Sequence, residues 1–309
     1  MLRLCAKYSR PLLVAGLVIG VGLPGLAAMM EPWLPEMVAL LLVITAFRIG
    51  HRAAFGALTD LRWSLPAVAL LQLALPLSLI GALTLAGQGN TPLALALVLA
   101  ASAPTITGGA SLAIILGQDP ARVMQILILG TALFPLTVLP VLYFGPDIGA
   151  PSVIALSGLR LLVVILGAAG IGFALRQWLV PHPTPRQVER MDGAAVLFFS
   201  LIAIGLMAAL GPTLRSNPWE ALRWALAAFT LCFGLQTLAL AVLHRTRRLR
   251  HLAGPLALAA GNRNIALFLV SLPPDTMAPI MIFVACWQLP MYLTPILLPR
   301  LYRLASPHA

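Results

Sequence analysis

Two short polar runs stand inside otherwise apolar sequence and carry the residue types that could do chemistry. The first is Ser102-Ala-Pro104-Thr105-Ile-Thr107-Gly108-Gly109-Ala-Ser111, and the second is Gly261-Asn262-Arg263-Asn264, which follows Gly254-Pro255. Proline and paired glycines interrupt a helix, and the restarted helix exposes N–H groups whose partial positive charge attracts anions. The hydroxyls of Thr105, Thr107 and Ser111, the N–H groups of Gly108, Gly109 and Gly261, the amides of Asn262 and Asn264, and the guanidinium of Arg263 would make a small anion-binding site. For the first run the alternative is a packing kink at Pro104, with Gly108 and Gly109 allowing close helix contact. Arg263 is the most informative single residue. A central arginine in a membrane costs at least about 2.5 to 3.5 kcal/mol on insertion scales, so it needs acceptors, and no Asp or Glu lies deep in the apolar sequence around it. Its partners are then carbonyls, Asn262, Asn264, Thr or Gln side chains, or a bound anion. Two roles stay open for it: neutralising a substrate, or capping the carbonyls of broken helices.

The elements that must hold these runs are membrane helices. The chain has 309 residues, 60% hydrophobic and 9% charged, whereas an ordinary soluble domain is roughly one quarter charged. Apolar windows of spanning length fall at 11–29, 34–50, 65–86, 92–116, 121–144, 152–175, 193–211, 221–243, 252–272 and 277–299, which predicts ten spans. They leave no room for a soluble catalytic domain. The net charge of +11 would suggest nucleic acid in a soluble protein, but here the charges lie between the windows and read as topology signals. With a cytoplasmic N-terminus, sixteen of the 20 Lys and Arg residues fall in inside segments, Arg215 and Arg223 fall outside, and Arg160 and Arg263 lie within windows. Both termini are therefore expected to be cytoplasmic, in a bacterial inner (cytoplasmic) membrane. Arg160 reads as a snorkelling residue. Lys7 and Arg10 before the run ending Leu26-Ala27-Ala28 also fit a cleaved signal peptide. The run Arg245, Arg247, Arg248 and Arg250 reads as a cytoplasmic anchor or as an anionic-lipid contact. Cys5, Cys232 and Cys286 form neither a disulfide framework nor a metal spacing, and no cofactor or metal is expected.

The order of the windows suggests an internal repeat. Pro135-Leu-Thr-Val-Leu-Pro140 and Pro290-Met-Tyr-Leu-Thr-Pro295 share a proline spacing and lie 155 residues apart, each in the last window of its half. Leu71-Gln72 and Leu235-Gln236 occupy the third window of each half, and the two polar runs occupy the fourth. The expected halves are 1–148 and 149–309, and an odd number of spans per half makes the repeat inverted, an architecture common among secondary transporters.

At these residues the sequence resembles the bile acid:sodium symporter family. The resemblance covers essentially the whole chain and rests on Leu71-Gln72 with Pro76, on Ala103-Pro104 through Gly108-Gly109-Ala110-Ser111, on the prolines of the fifth window, and on Gly261-Asn262-Arg263-Asn264. It implies two inverted five-helix repeats with broken, crossing fourth and ninth helices. It also implies a core domain from spans 3 to 5 and 8 to 10, a panel domain from spans 1, 2, 6 and 7, and an organic-anion site at the crossing. The departures concern sodium: where sodium-coupled members carry a Glu and a Gln around the ninth-helix glycine, this chain has Ala259 and Arg263. The family's Ser-Asn at the fourth-helix break corresponds to Ala110-Ser111, and hydroxyl ligands of the fifth span fall at Met124 and Ile128. An arginine supplies no oxygen ligand, and no carboxylate or His stands at membrane depth for a proton relay.

The resulting expectation is a carrier for a small organic anion, working by alternating access as a uniporter or exchanger, with Gln72, Thr131, Gln236 and Gln288 as further lining of the crossing. The alternatives are a sodium symporter with a rearranged cation site and a non-transporting membrane sensor, although a sensor usually brings a soluble output domain. A membrane hydrolase would need a base for Ser111, and no His is within reach in the sequence, so no enzyme is expected. Cysteines introduced at Gly89 and Asp275 are expected to label from outside intact cells, and those at Gln118 and Leu249 only after permeabilisation; the reverse pattern overturns the topology.

Overall fold

The structure is a computed structural model that describes residues 2–57, 60–246 and 248–304, without the side chains of Lys7 and Arg10. Arg247 and positions 305–309 lie outside the described residues, as do the two basic side chains of the signal-peptide reading. Among the described residues the chain is all-helical, and its one β-type feature is an isolated antiparallel bridge between Thr105 and Arg263. Proline, preset for the first helical turn and lacking the N–H that would go unused there, opens the helices that begin at Pro24, Pro92, Pro120, Pro151, Pro185, Pro218 and Pro274. Side-chain caps reinforce several starts: Thr91 accepts from the Ala94 N–H at 3.1 Å, Asp119 from Ala121 at 2.9 Å, and Thr184 forms a capping box with Gln187.

Seven helical stretches are long and apolar enough to cross a membrane: Pro24–Ile49, Leu61–Leu85, Pro120–Phe144, Pro151–Leu179, Pro185–Ser216, Pro218–Arg245 and Pro274–Leu297. They fit an integral membrane protein. So does the exterior, where Leu85, Trp178 and Trp219 are 91%, 81% and 71% exposed. Seven is fewer than the ten windows of the sequence, and the differences have local causes. The first window breaks at Leu23, between Ser9–Gly22 and Pro24–Met30, and the second piece runs on into the next helix. The fourth window divides into Pro92–Ser102 and Gly109–Ile115, and the ninth into Ala253–Gly261 and the short turns Ile265–Leu267 and Phe268–Ser271. In the fourth and ninth windows the interruption falls at the polar runs.

The chain forms two compact units, each drawing on both halves of the sequence. One comprises Met1–Gly56, Leu159–Trp224 and Ala266–Gln288; the other comprises Ala57–Gly158, Ala225–Ile265 and Leu289–Ala309. In the first, Pro185–Leu206 packs along Ser9–Gly22, and Gly16 lies so close to it that an added Cβ would stand 2.6 Å from the Ser200 carbonyl oxygen. There too Arg48 pairs with Asp192 at 2.7 Å, while Arg176 donates to the Phe47 carbonyl at 3.0 Å and so caps the end of Leu34–Ile49. The second unit carries both polar runs. Its apolar core joins Ile126 and Leu129 of the Pro120–Phe144 helix to Val68, Leu71, Leu256 and Ala259.

The close approach at Gly16 gives a paired expectation. Gly16→Ala must push two helices apart and is expected to cost about 1 to 3 kcal/mol. Gly170→Ala, in a helix interior with nothing near the new methyl, should be neutral or stabilising by up to about 1 kcal/mol. Thermal unfolding in detergent checks both.

Candidate functional site

The first interruption begins where Pro104 forces its predecessor out of the helical region: Ala103 is extended, with φ −58° and ψ 149°. The second begins at Asn262, with φ −98° and ψ 86°. The two irregular segments run antiparallel. The Ile106 N–H donates to the Asn262 carbonyl at 3.0 Å, and the Asn264 N–H donates to the Pro104 carbonyl at 2.8 Å. These two bonds flank Thr105 and Arg263, which therefore form the non-hydrogen-bonded pair of a minimal ladder, the kind in which facing residues stand closest.

Arg263 is 1% exposed, and its guanidinium donates to three backbone carbonyls from three chain segments: Nε to Ala260 at 2.8 Å, Nη1 to Ala103 at 2.9 Å and Nη2 to Leu71 at 3.1 Å. Each acceptor has lost its helical donor for an identifiable reason. Ala260 would receive the Asn264 N–H, which is turned to Pro104 instead. Ala103 ends its helix in extended conformation, so the Thr107 N–H is carried away from it. Leu71 lies in a π-helical turn, Leu70–Ala74, in which the Leu75 N–H reaches back to Leu70. Its next donor in π register would be residue 76, which is a proline and has no N–H. Arg263 also stands at the negative ends of Pro92–Ser102 and Ala253–Gly261, where a cation is electrostatically favoured.

No family model matches the chain, and no curated protein matches it.

The other candidates divide by exposure. Thr105 is buried, and its hydroxyl has no hydrogen-bond partner among the described residues. Gly109 is buried and Thr107 half-buried, while Gly108 and Ser111 are exposed. At the second break Gly261, Asn262, Arg263 and Asn264 are all buried. Gly261 is small by necessity, since a Cβ there would overlap the Cys232 carbonyl and the Gln236 side chain. The Asn262 amide donates to Leu258 at 3.1 Å, and its Oδ1 lies 3.4 Å from the Thr294 hydroxyl, which also donates to the Pro290 carbonyl at 2.9 Å. Gln72 is buried and accepts from Thr137 at 2.9 Å; Gln236 is buried and donates to Thr294 at 3.2 Å. Thr131 is half-buried on the Pro120–Phe144 helix. Gln288 belongs to the other unit, where its Nε2 donates to Val284 at 3.3 Å.

The residues absent from the sequence reading are Thr137, Thr294 and Tyr302. Both threonines stand inside the two proline-bounded motifs, so the motifs held a signal that their prolines overshadowed. Gln118 is also buried, donating to the Leu116 and Tyr302 carbonyls. A cysteine there would not report sidedness, and exposed Leu249 carries that test.

Arg263→Ala leaves three carbonyls without this donor, at about 1 to 3 kcal/mol each, and is expected to lower the melting temperature substantially. Guanidinium at low concentration should restore part of the loss where an equal concentration of tetramethylammonium does not. Arg263→Lys, whose single ammonium cannot span three acceptors, should lie between. An alanine variant that melts like the wild type would show that the cage contributes nothing to the fold.

Proposed function

We propose that the protein is a secondary transporter that moves a small organic anion by alternating access, as uniporter or exchanger, in the manner implied by its resemblance to the bile acid:sodium symporter family. The observation that carries this reading is the junction of two interrupted helices at Thr105 and Arg263. Irregular backbone amid membrane helices is tolerated where it is buried in protein or lines a cavity, and paired broken helices are a recurrent construction of transporter binding sites. The inverted repeat is supported by a shared detail: in each half a glutamine of the third window bonds a threonine of the last, Gln72 with Thr137 and Gln236 with Thr294. A core of spans 3 to 5 and 8 to 10 is supported by the unit that combines Ala57–Gly158, Ala225–Ile265 and Leu289–Ala309, although 266–288 groups with the other unit.

In this reading Arg263 serves as a tethered cation. Its charge occupies carbonyl oxygens that would otherwise suit a metal ion, so transport proceeds without sodium coupling, and the arginine holds the crossing together rather than neutralising substrate directly. Substrate contacts then come chiefly from the first break, where Gly108 and Ser111 are exposed, Thr107 is half-buried and the Thr105 hydroxyl has no partner among the described residues.

Purified protein in proteoliposomes, offered a panel of labelled mono- and dicarboxylates, should show saturable uptake or exchange that is the same in sodium and potassium. A tenfold gain specific to sodium, equivalent to about 1.4 kcal/mol, would favour a sodium symporter with a rearranged site. No uptake of any solute would favour a sensor. Thr105→Val removes a buried hydroxyl that has no partner among the described residues, so it should leave the unliganded protein as stable or more stable while weakening uptake. Unchanged uptake would remove Thr105 from the site.

A further inference from the structure

The last described helix, Pro299–Leu304, has one fully buried side chain between two exposed arginines. Tyr302 is 0% exposed and packs among Ala113, Leu116, Val123, Leu240, Ala253 and Leu258. Its backbone carbonyl accepts from Gln118 at 3.3 Å, and its hydroxyl donates to Gln236 Oε1 at 2.8 Å. From there a buried polar chain continues inward. Gln236 Nε2 donates to Thr294 at 3.2 Å, the Thr294 hydroxyl divides its one proton between the Pro290 carbonyl at 2.9 Å and Asn262 Oδ1 at 3.4 Å, and the Asn262 carbonyl receives the Ile106 N–H that joins the two breaks. Burial holds the Tyr302 phenol well above its usual range.

The outer face of the same helix is basic. Arg300 and Arg303 are exposed, and so are Arg245, Arg248 and Arg250 at the end of Pro218–Arg245 and the turn before Ala253–Gly261, the elements Tyr302 packs against. None of the five makes an ion pair among the described residues, in contrast to Arg3, Arg48 and Arg122. Exposed arginines with no ion pair among the described residues, beside membrane helices, suit the phosphate groups of anionic lipids.

We propose that Pro299–Leu304 is a lipid-held latch: anionic phospholipid headgroups bind Arg300 and Arg303 together with Arg245, Arg248 and Arg250, and by seating Tyr302 on Gln236 they tighten the junction of the two broken helices. Interfacial arginines contribute enough attraction to shift such an equilibrium by about fivefold each, and Tyr302, beside the partly buried Leu301, is the side chain of the segment that hydrogen-bonds inward to Gln236.

The test is hydrogen exchange on the full chain in phosphatidylcholine vesicles with and without phosphatidylglycerol. The anionic lipid should slow exchange at 300–304 by about fivefold for each arginine engaged, and should also slow it at 105–107 and 262–264. Arg300→Gln with Arg303→Gln should abolish both responses while leaving the rates in phosphatidylcholine alone as in the wild type. Tyr302→Phe should retain the response at 300–304 and lose it at the breaks. Equal rates in the two lipids, or a double variant that still responds, would overturn the proposal. So would inorganic phosphate reproducing the effect without anionic lipid, which would make the ligand a soluble anion. A Tyr302→Phe protein whose breaks still respond would overturn the coupling.

Discussion

A peptide carbonyl that loses its helical donor among membrane helices has no water to turn to, and leaving it unpaired is costly. Three such carbonyls, at Leu71, Ala103 and Ala260, meet in this protein, and one guanidinium serves all of them. The match is chemical as well as geometric. Arginine offers several donors in a rigid plane and keeps its charge, and a charge-assisted bond is stronger than a neutral one. Two helix ends of like polarity converge at this point and would present only oxygen to each other without a positive group between them. The antiparallel contact of the two breaks is made by the residues on either side of Arg263 and of Thr105.

The positions of the breaks were legible because their causes are local. Pro104 dictates the conformation of Ala103 whatever surrounds it, and Gly108-Gly109 and Gly261-Asn262 weaken a helix in any context. The partners of Arg263 were not legible, although carbonyls were among the candidates, because every residue carries one and its identity says nothing about whether it is free. The π turn over Leu70–Ala74 has the same difficulty. Leu-Leu-Gln-Leu-Ala is ordinary helical sequence, and Pro76 marks only that some donor is missing nearby. Hydropathy and helix bounds differ at the first window: 11–29 reads as one apolar stretch, yet the helix is interrupted at Leu23 because Pro24 starts a new helix there.

The two glutamine–threonine pairs are alike in type but not in reach. Gln72 and Thr137 close on each other, with the Thr137 hydroxyl also near the Phe134 carbonyl. Gln236 and Thr294 are links in a longer chain with Tyr302 at one end and Asn262 at the other. The second half of the sequence thus joins its break to the last described helix by side chains. The first half is joined to the breaks through the Leu71 and Ala103 carbonyls and the backbone of 104–106. A mutation at Tyr302, Gln236 or Thr294 would therefore act on hydrogen bonds between side chains, where conservative replacements exist, and one at Pro104 on backbone geometry, where few do.

A cation attached covalently to the chain can never be released into either compartment. In a carrier of the proposed kind the empty and loaded forms then differ by the charge of the solute alone, and uniport has no sodium gradient to spend on driving the cycle uphill. The membrane potential is the remaining bias. For a monoanion it is worth about 2.3 kcal/mol per 100 mV, directed from a negative interior outward, so uniport would run toward export. Exchange of two anions of equal charge would not feel the potential at all. The bonding of Arg263 thereby bears on the energetics of the whole cycle, well beyond the three oxygens it touches.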